Sequence, residues 1–144
     1  ALTYGIIRQE SSFQEYARSR ANALGLMQII PSTGKQYGAN RSRLLNPKTN
    51  IQVGSRYMQD LLERYDQNLI LAMAAYNAGP STVDQWIERF GSGDKDDMID
   101  WIEMIPYGET RGYVQRIPAG ARIYLGWEND EVSLVSVNEL IHAR

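Results

Sequence analysis

The stretch Leu69-Ile70-Leu71-Ala72-Met73-Ala74-Ala75-Tyr76-Asn77-Ala78-Gly79-Pro80 is apolar on nearly every side as far as Tyr76. A helix without a polar face has to be enclosed by other elements, so this stretch reads as the central buried helix of an α-rich core. Gly79 and Pro80 terminate it, because glycine accepts the backbone conformation that closes a helix and proline cannot continue one. Upstream, Asn46-Pro47 and Asn50 mark another start. Ile51, Gly54, Tyr57, Met58, Leu61, Leu62 and Tyr65 follow at three- and four-residue intervals, the clearest amphipathic helix in the chain. Downstream, Trp86, Ile87 and Phe90 mark a further helix. Gly91 to Asp97 is rich in Gly, Ser and Asp and reads as a solvent loop or flexible lid. A short helix bearing Met98, Trp101, Ile102 and Ile105 closes at Pro106, and Glu109 to Leu125 regains helical spacing, with Pro118 expected to kink it.

Toward the N-terminus, Leu2, Ile6 and Ile7 have helical spacing, which places Glu10 near the C-terminal end of an amphipathic helix beside the ring of Phe13. A carboxyl so placed is partly desolvated, and desolvation raises a carboxyl pKa. Gln14 to Gly25 is polar and small and reads as a returning loop. Pro31-Ser32-Thr33 starts a short helix that should stop near Gly38. A last helix is expected from Ser136, with Glu139 as its capping-box partner. Two-residue alternation is sustained nowhere longer than Glu131 to Val137, and no repeat is visible. The fold class expected is mainly α, one domain of packed helices over residues 1–144.

At 144 residues and 43% hydrophobic composition, the chain suits one substantial core. The balance of 15 Lys+Arg against 17 Asp+Glu, with no long basic run, argues against nucleic acid or an anionic membrane as partner. Absence of cysteine removes thiol catalysis, thiolate metal sites and disulfides, without fixing a compartment. No apolar run approaches the ~20 residues that span a bilayer, and no signal-type segment opens the chain. The start at Ala1, directly in helical pattern, reads as a domain excised from something longer. His142 is the single histidine and no acidic run has Ca²⁺-loop spacing, so neither a metal nor another cofactor is expected.

Six blocks stand out: Glu10-Ser11-Ser12-Phe13, Gly25-Leu26-Met27-Gln28-Ile29, Leu45-Asn46-Pro47, Asn50-Ile51, Ala74-Ala75-Tyr76-Asn77-Ala78-Gly79, and Ile105-Pro106-Tyr107-Gly108-Glu109-Thr110-Arg111-Gly112-Tyr113. Each is short enough to occur by chance, but their order and spacing are specific. Together they make residues 1 to about 125 resemble the catalytic domain of soluble lytic transglycosylases, with 126–144 as a C-terminal extension. The resemblance implies a lysozyme-like fold with a substrate cleft. It also implies cleavage of the β-1,4 bond between N-acetylmuramic acid and N-acetylglucosamine in peptidoglycan, leaving 1,6-anhydromuramoyl ends. Protein partners are left open, and the substrate puts the domain in the periplasm or cell envelope.

By that resemblance Glu10 is the catalytic acid and then base, aided by the substrate's own acetamido oxygen. Glu15 is five residues further on, a poor facing position, and reads as a solvated charge rather than a second catalytic carboxylate. Gln28 is expected to contact saccharide, and Ser19 either to do so or only to form a turn. Gly25 suits a left-handed backbone, and Met27 fills a gap or paves a sugar subsite. Asn22 and Ile30 depart from the family's usual Gly and Met; Asn tolerates positive φ well, while Ile30 alters one subsite. By the same resemblance Tyr76 is expected to face Glu10 and the reacting sugar, orienting the acetamido group or stabilising developing positive charge. Asn77 reads as a helix C-cap, Glu109 as a groove residue, Arg111 as a structural ion pair, and Tyr113 as cleft lining. Trp86, Trp101 and Trp127 read as core. Two other functions compete: a hydrolysing muramidase of similar fold, and a glycan-binding module without turnover.

Overall fold

The computed structural model describes residues 2–94 and 97–117. The described chain is mainly α. Its helices are α1 (Leu2–Ser11), α2 (Pro31–Gln36), α3 (Arg41–Leu44), α4 (Pro47–Arg64), α5 (Leu69–Ala78), α6 (Pro80–Phe90) and α7 (Ile99–Met104). An eighth, α8, runs over residues 108–117. Among the described residues extended pairing is confined to isolated bridges, Arg18 with Leu24, Leu24 with Ile29, and Asp94 with Asp97. The chain forms two compact units, Ala1–Tyr57 and Met58–Arg144, and the division falls inside α4. The expected kink at Pro118, the helix from Ser136, the alternation at Glu131–Val137 and Trp127 lie outside the described residues.

The first unit is organised by the side chain of Asn50, which is fully buried in the first turns of α4. Its Oδ1 accepts from the Met27 N–H at 2.7 Å. Its Nδ2 donates to the Leu24 and Leu44 carbonyls, both at 2.8 Å. One amide thereby satisfies two levels of the loop after α1 and the end of α3. Asn50 was expected as a helix start, but the start belongs to Asn46, whose Oδ1 accepts from the Thr49 N–H at 3.0 Å. A cap side chain has to face the helix end; Asn50 is one turn further in and faces the core instead. The close fit extends to two glycines. A Cβ on Gly25 (φ +77) would lie 2.3 Å from Asn50 Nδ2 and 2.7 Å from the Leu44 oxygen, and one on Gly54 would lie 2.5 Å from Met27 Sδ. Helix α3 was not foreseen. It is four residues long, capped by Asn40 Oδ1 on the Arg43 N–H at 2.9 Å, and too short to carry a periodic signal.

In the second unit α5 is the enclosed helix expected: residues Leu69 to Ala75 are all buried. Asn68 Oδ1 caps it on the Leu71 N–H. At its far end the cap is Gly79, at φ +90 with its N–H on the Ala75 carbonyl at 2.8 Å, and not Asn77 as expected. The end of α4 is tied to α6 through three groups. Tyr65 donates its hydroxyl to the Pro80 carbonyl (3.1 Å) and Asp84 (2.9 Å), and Arg64 pairs with the same carboxylate. Trp86 and Trp101 are buried as expected, at 6.4 Å between ring centroids, with Tyr107 edge-on to Trp86 at 5.2 Å. The Trp101 indole N–H is satisfied by the Gly91 carbonyl at 2.9 Å.

Two predictions follow from these ties. Asn50→Ala leaves the Met27 N–H and the Leu24 and Leu44 carbonyls buried without their partner. Urea unfolding is expected to show a loss of at least about 3 kcal/mol, against about 1 kcal/mol for Asn46→Ala at the cap. Equal losses would contradict the central role given to Asn50. The second concerns pH. The hydrogen bond from Arg64 holds the Asp84 carboxyl below its ordinary value of 3.8, while burial, then Asp84, hold the Tyr65 phenol above its ordinary 10.0. A depressed carboxyl stabilises the fold above its unfolded pKa, and that contribution disappears as pH falls through the folded value. A raised phenol stabilises below pH 10.0, and its contribution disappears as pH climbs beyond that. Asp84→Asn should therefore flatten the acid limb of the melting-temperature profile, and Tyr65→Phe the alkaline limb. The acid effect is small, at most about 1 kcal/mol, because the Asp84 side chain is 43% exposed.

Candidate active site

The residues singled out in the sequence divide between the two units, Ala1–Tyr57 and Met58–Arg144. In the first, α1 ends at Ser11, whose hydroxyl donates to the Ile7 carbonyl at 3.1 Å, and the chain then turns through two left-handed residues, Ser12 (φ 50) and Phe13 (φ 63). Such conformations are unfavourable for residues with a Cβ and gather where the surroundings enforce them. Glu10 is thus the penultimate residue of α1, partly buried, on a helix whose Ile6 and Ile7 are sunk in the core. Phe13, expected as an apolar cover, keeps 46% of its surface exposed.

The loop after α1 is cross-braced by its own backbone. Leu24 and Ile29 exchange both N–H to carbonyl bonds, at 2.9 and 3.0 Å, and the Gly25 N–H reaches the Ala17 carbonyl at 2.9 Å. Gln28 is held in the left-handed region at φ 51, and its Nε2 donates to the Ala17 and Gly25 carbonyls at 3.1 and 2.9 Å. Both amide hydrogens therefore brace the loop, while Oε1 has no donor among the described residues. Asn22 has φ 62, so the asparagine does occupy the position where glycine is usual. Ser19 behaves as the turn former: its Oγ accepts from the Ala23 N–H at 3.0 Å. Met27 is 0% exposed and fills the space left by Gly54, so of its two expected roles packing is the one the geometry carries; a side chain without surface cannot pave a subsite.

In the second unit, the Tyr76-Asn77 and Glu109-Thr110-Arg111 blocks are joined by one hydrogen bond. Thr110, buried at 1% exposure, donates its hydroxyl to Asn77 Oδ1 at 2.7 Å. This link explains why a polar residue follows the apolar run of α5: Asn77 anchors α8 rather than capping its own helix. Tyr76 is partly buried beside it and Glu109 is exposed at the start of α8. Tyr113, expected to line a cleft, is 2% exposed and belongs to the core of its unit. Arg111 makes no ion pair among the described residues. Its Nη2 donates to the Ile105 carbonyl at 2.8 Å, closing the turn before α8, and its Nε is buried with no partner. The threonine link was missed because a hydroxyl-to-amide contact between residues 33 apart leaves no periodic trace. Among the described residues no group of three or more His, Cys, Asp or Glu is placed to hold a metal ion.

The chain is 37% identical over 142 residues to the soluble lytic murein transglycosylase of Escherichia coli K12, covering 93% of this chain and 22% of the relative. It is 32% identical over 134 residues to the membrane-bound lytic murein transglycosylase D of the same organism, covering 90% of this chain and 29% of the relative. Among solved structures, the 70 kDa soluble lytic transglycosylase of E. coli superposes with a TM-score of 0.82 at 36% identity, over 96% of this chain and 23% of that one. An inactive glutamate-to-glutamine mutant of the lytic transglycosylase Slt from Pseudomonas aeruginosa gives 0.79 at 37% identity, over 96% and 23%. The chain spans between a fifth and a third of the length of these relatives. Residues 1–99 match the family described as the transglycosylase SLT domain, and on that match this chain belongs to the transglycosylase SLT domain family.

Proposed function

We propose that the chain is the catalytic domain of a peptidoglycan lytic transglycosylase, cleaving the β-1,4 bond between N-acetylmuramic acid and N-acetylglucosamine with formation of 1,6-anhydromuramoyl ends. The observation that carries this reading is Glu10, partly buried at the C-terminal end of α1 within a chain of this family. The family match begins in the first unit and continues into the second as far as residue 99, which supports treating them as one catalytic domain.

In the proposed reaction Glu10 gives its proton to the glycosidic oxygen as the bond from C1 of the muramic acid breaks, and the N-acetylglucosamine leaves as an alcohol. The 2-acetamido oxygen closes on C1, taking the place of the second carboxylate that most glycosidases use. Glu10, now a carboxylate, removes the proton of the 6-hydroxyl as that oxygen displaces the acetamido group. The acid is regenerated and no water is consumed. Glu15 is exposed, which supports leaving it out of the mechanism. Gln28, with Oε1 unused and its amide hydrogens committed to the loop, suits a hydroxyl or N–H of the sugar. Tyr76 and Glu109 are proposed as further saccharide contacts, and Ser19 as a turn that shapes the loop. The reaction calls for no metal or cofactor. A murein substrate places the domain in the cell envelope; among the described residues no helix is long and apolar enough to cross a membrane.

Digests of purified sacculi analysed by mass spectrometry are expected to contain 1,6-anhydro muropeptides without label from H₂¹⁸O. Labelled reducing ends would instead make the domain a hydrolysing muramidase. Glu10→Gln should lower turnover by about 10²–10⁴-fold with the melting temperature little changed, and undiminished activity would remove Glu10 from the mechanism.

A further inference from the structure

The near balance of charge over the whole chain conceals two opposite surpluses. Residues Ala1–Tyr57 hold eight of the fifteen Lys and Arg but two of the seventeen Asp and Glu. Residues Met58–Arg144 hold the other seven and fifteen. The first unit is therefore strongly basic, and the argument against anionic partners drawn from the total does not apply to it. Wholly within this unit lies an open pocket of about 450 Å³, within the range of ligand sites. Arg18 and Arg41 line it, with Tyr16, Leu24, Ser42 and Leu45. Neither guanidinium makes a side-chain hydrogen bond or ion pair among the described residues, and Tyr16 is 71% exposed. Its framework is fixed: Arg18 bridges to Leu24, whose carbonyl is held by Asn50, and Arg41 begins the capped α3.

We propose that this pocket binds the acidic peptide stem of the substrate, with Arg18 and Arg41 pairing to its free carboxylates. The proposal rests on the function given above. The N-acetylated sugars of a peptidoglycan strand are uncharged and offer a guanidinium no anionic partner, whereas the peptide on the muramic lactyl group carries free carboxylates. Arginine matches a carboxylate with two parallel N–H donors, which a flexible ammonium cannot reproduce. The apolar surface of Leu24 and Leu45 and the ring of Tyr16 suit the alkyl parts of a short peptide and give a bare phosphate nothing to contact. The stem would then act as a specificity determinant at a place that carries none of the candidate catalytic residues.

The test is binding followed by NMR with three probes: a synthetic stem tetrapeptide with free carboxylates, the same peptide fully amidated, and inorganic phosphate. The acidic peptide should shift the resonances of Tyr16, Arg18 and Arg41, and the Arg18→Gln/Arg41→Gln double variant should bind it at least about tenfold more weakly, the loss expected for charge-assisted hydrogen bonds. Both arginines are exposed, so an unchanged melting temperature is expected to certify the variant's fold. Kinetics supply a second arm. The double variant should raise KM on stem-bearing strands and leave kcat, and all turnover of stem-stripped strands, as in the wild type. Equal binding by the double variant, equal binding of the amidated peptide, or response to phosphate alone overturns the proposal. Stem binding with no anhydro product from the wild type overturns the proposed reaction and leaves the pocket assignment standing.

Discussion

The first unit depends on a single buried amide. A loop that runs from α1 to α2 with only isolated bridges has no ladder to satisfy its backbone, and any buried N–H or carbonyl left unpaired there costs about 1–3 kcal/mol. From the first turns of α4, Asn50 meets that need at two points of the loop and binds the end of α3 at a third, so the regular element lends its rigidity to the irregular one. Gln28 and Ser19 then brace the loop from within. The placement of the loop relative to α4 is therefore set by hydrogen bonding, whereas α5 in the second unit is held by burial of apolar surface on all sides.

The same contrast explains what could be read from the residues alone. The helices that carry a wide apolar stripe or are wholly apolar, α4, α5 and α6, were legible because burial writes a period into the sequence. Left-handed positions were legible where residue type announces them, at Gly25 and Asn22, but not at Phe13 and Gln28, whose side chains give no hint of positive φ. The functions of asparagines were the least legible. Asn46, Asn50, Asn68 and Asn77 all sit at or near helix ends, yet two cap their helices and two bond to other segments. Only the partner's position in space distinguishes these roles. Within the candidate site, Glu10 was placed correctly at the end of α1, while Met27 and Tyr113 turned out to be interior.

The second unit shows how a polar residue at the end of an apolar helix can serve assembly. Asn77 receives the Thr110 hydroxyl, and the adjacent Arg111 closes the turn at Ile105. The first bond fixes the start of α8 to the end of α5 and the second ties it to the turn after α7, so Tyr76 and Glu109, each next to a member of the Thr110–Asn77 link, are set on a common frame.

Gly25 and Asn50 compete for the same volume, and this closes a route of sequence change. A side chain at position 25 requires Asn50 to yield the space its Nδ2 occupies, at 2.3 Å from the added carbon. Position 50 can yield it only if three backbone groups find other partners at once. Neither residue has a tolerable first step while the other stays, so the pair is locked together by sterics and hydrogen bonding jointly. Such a pair drifts only if both members change simultaneously, and it is expected to persist in chains whose substrates have long since diverged.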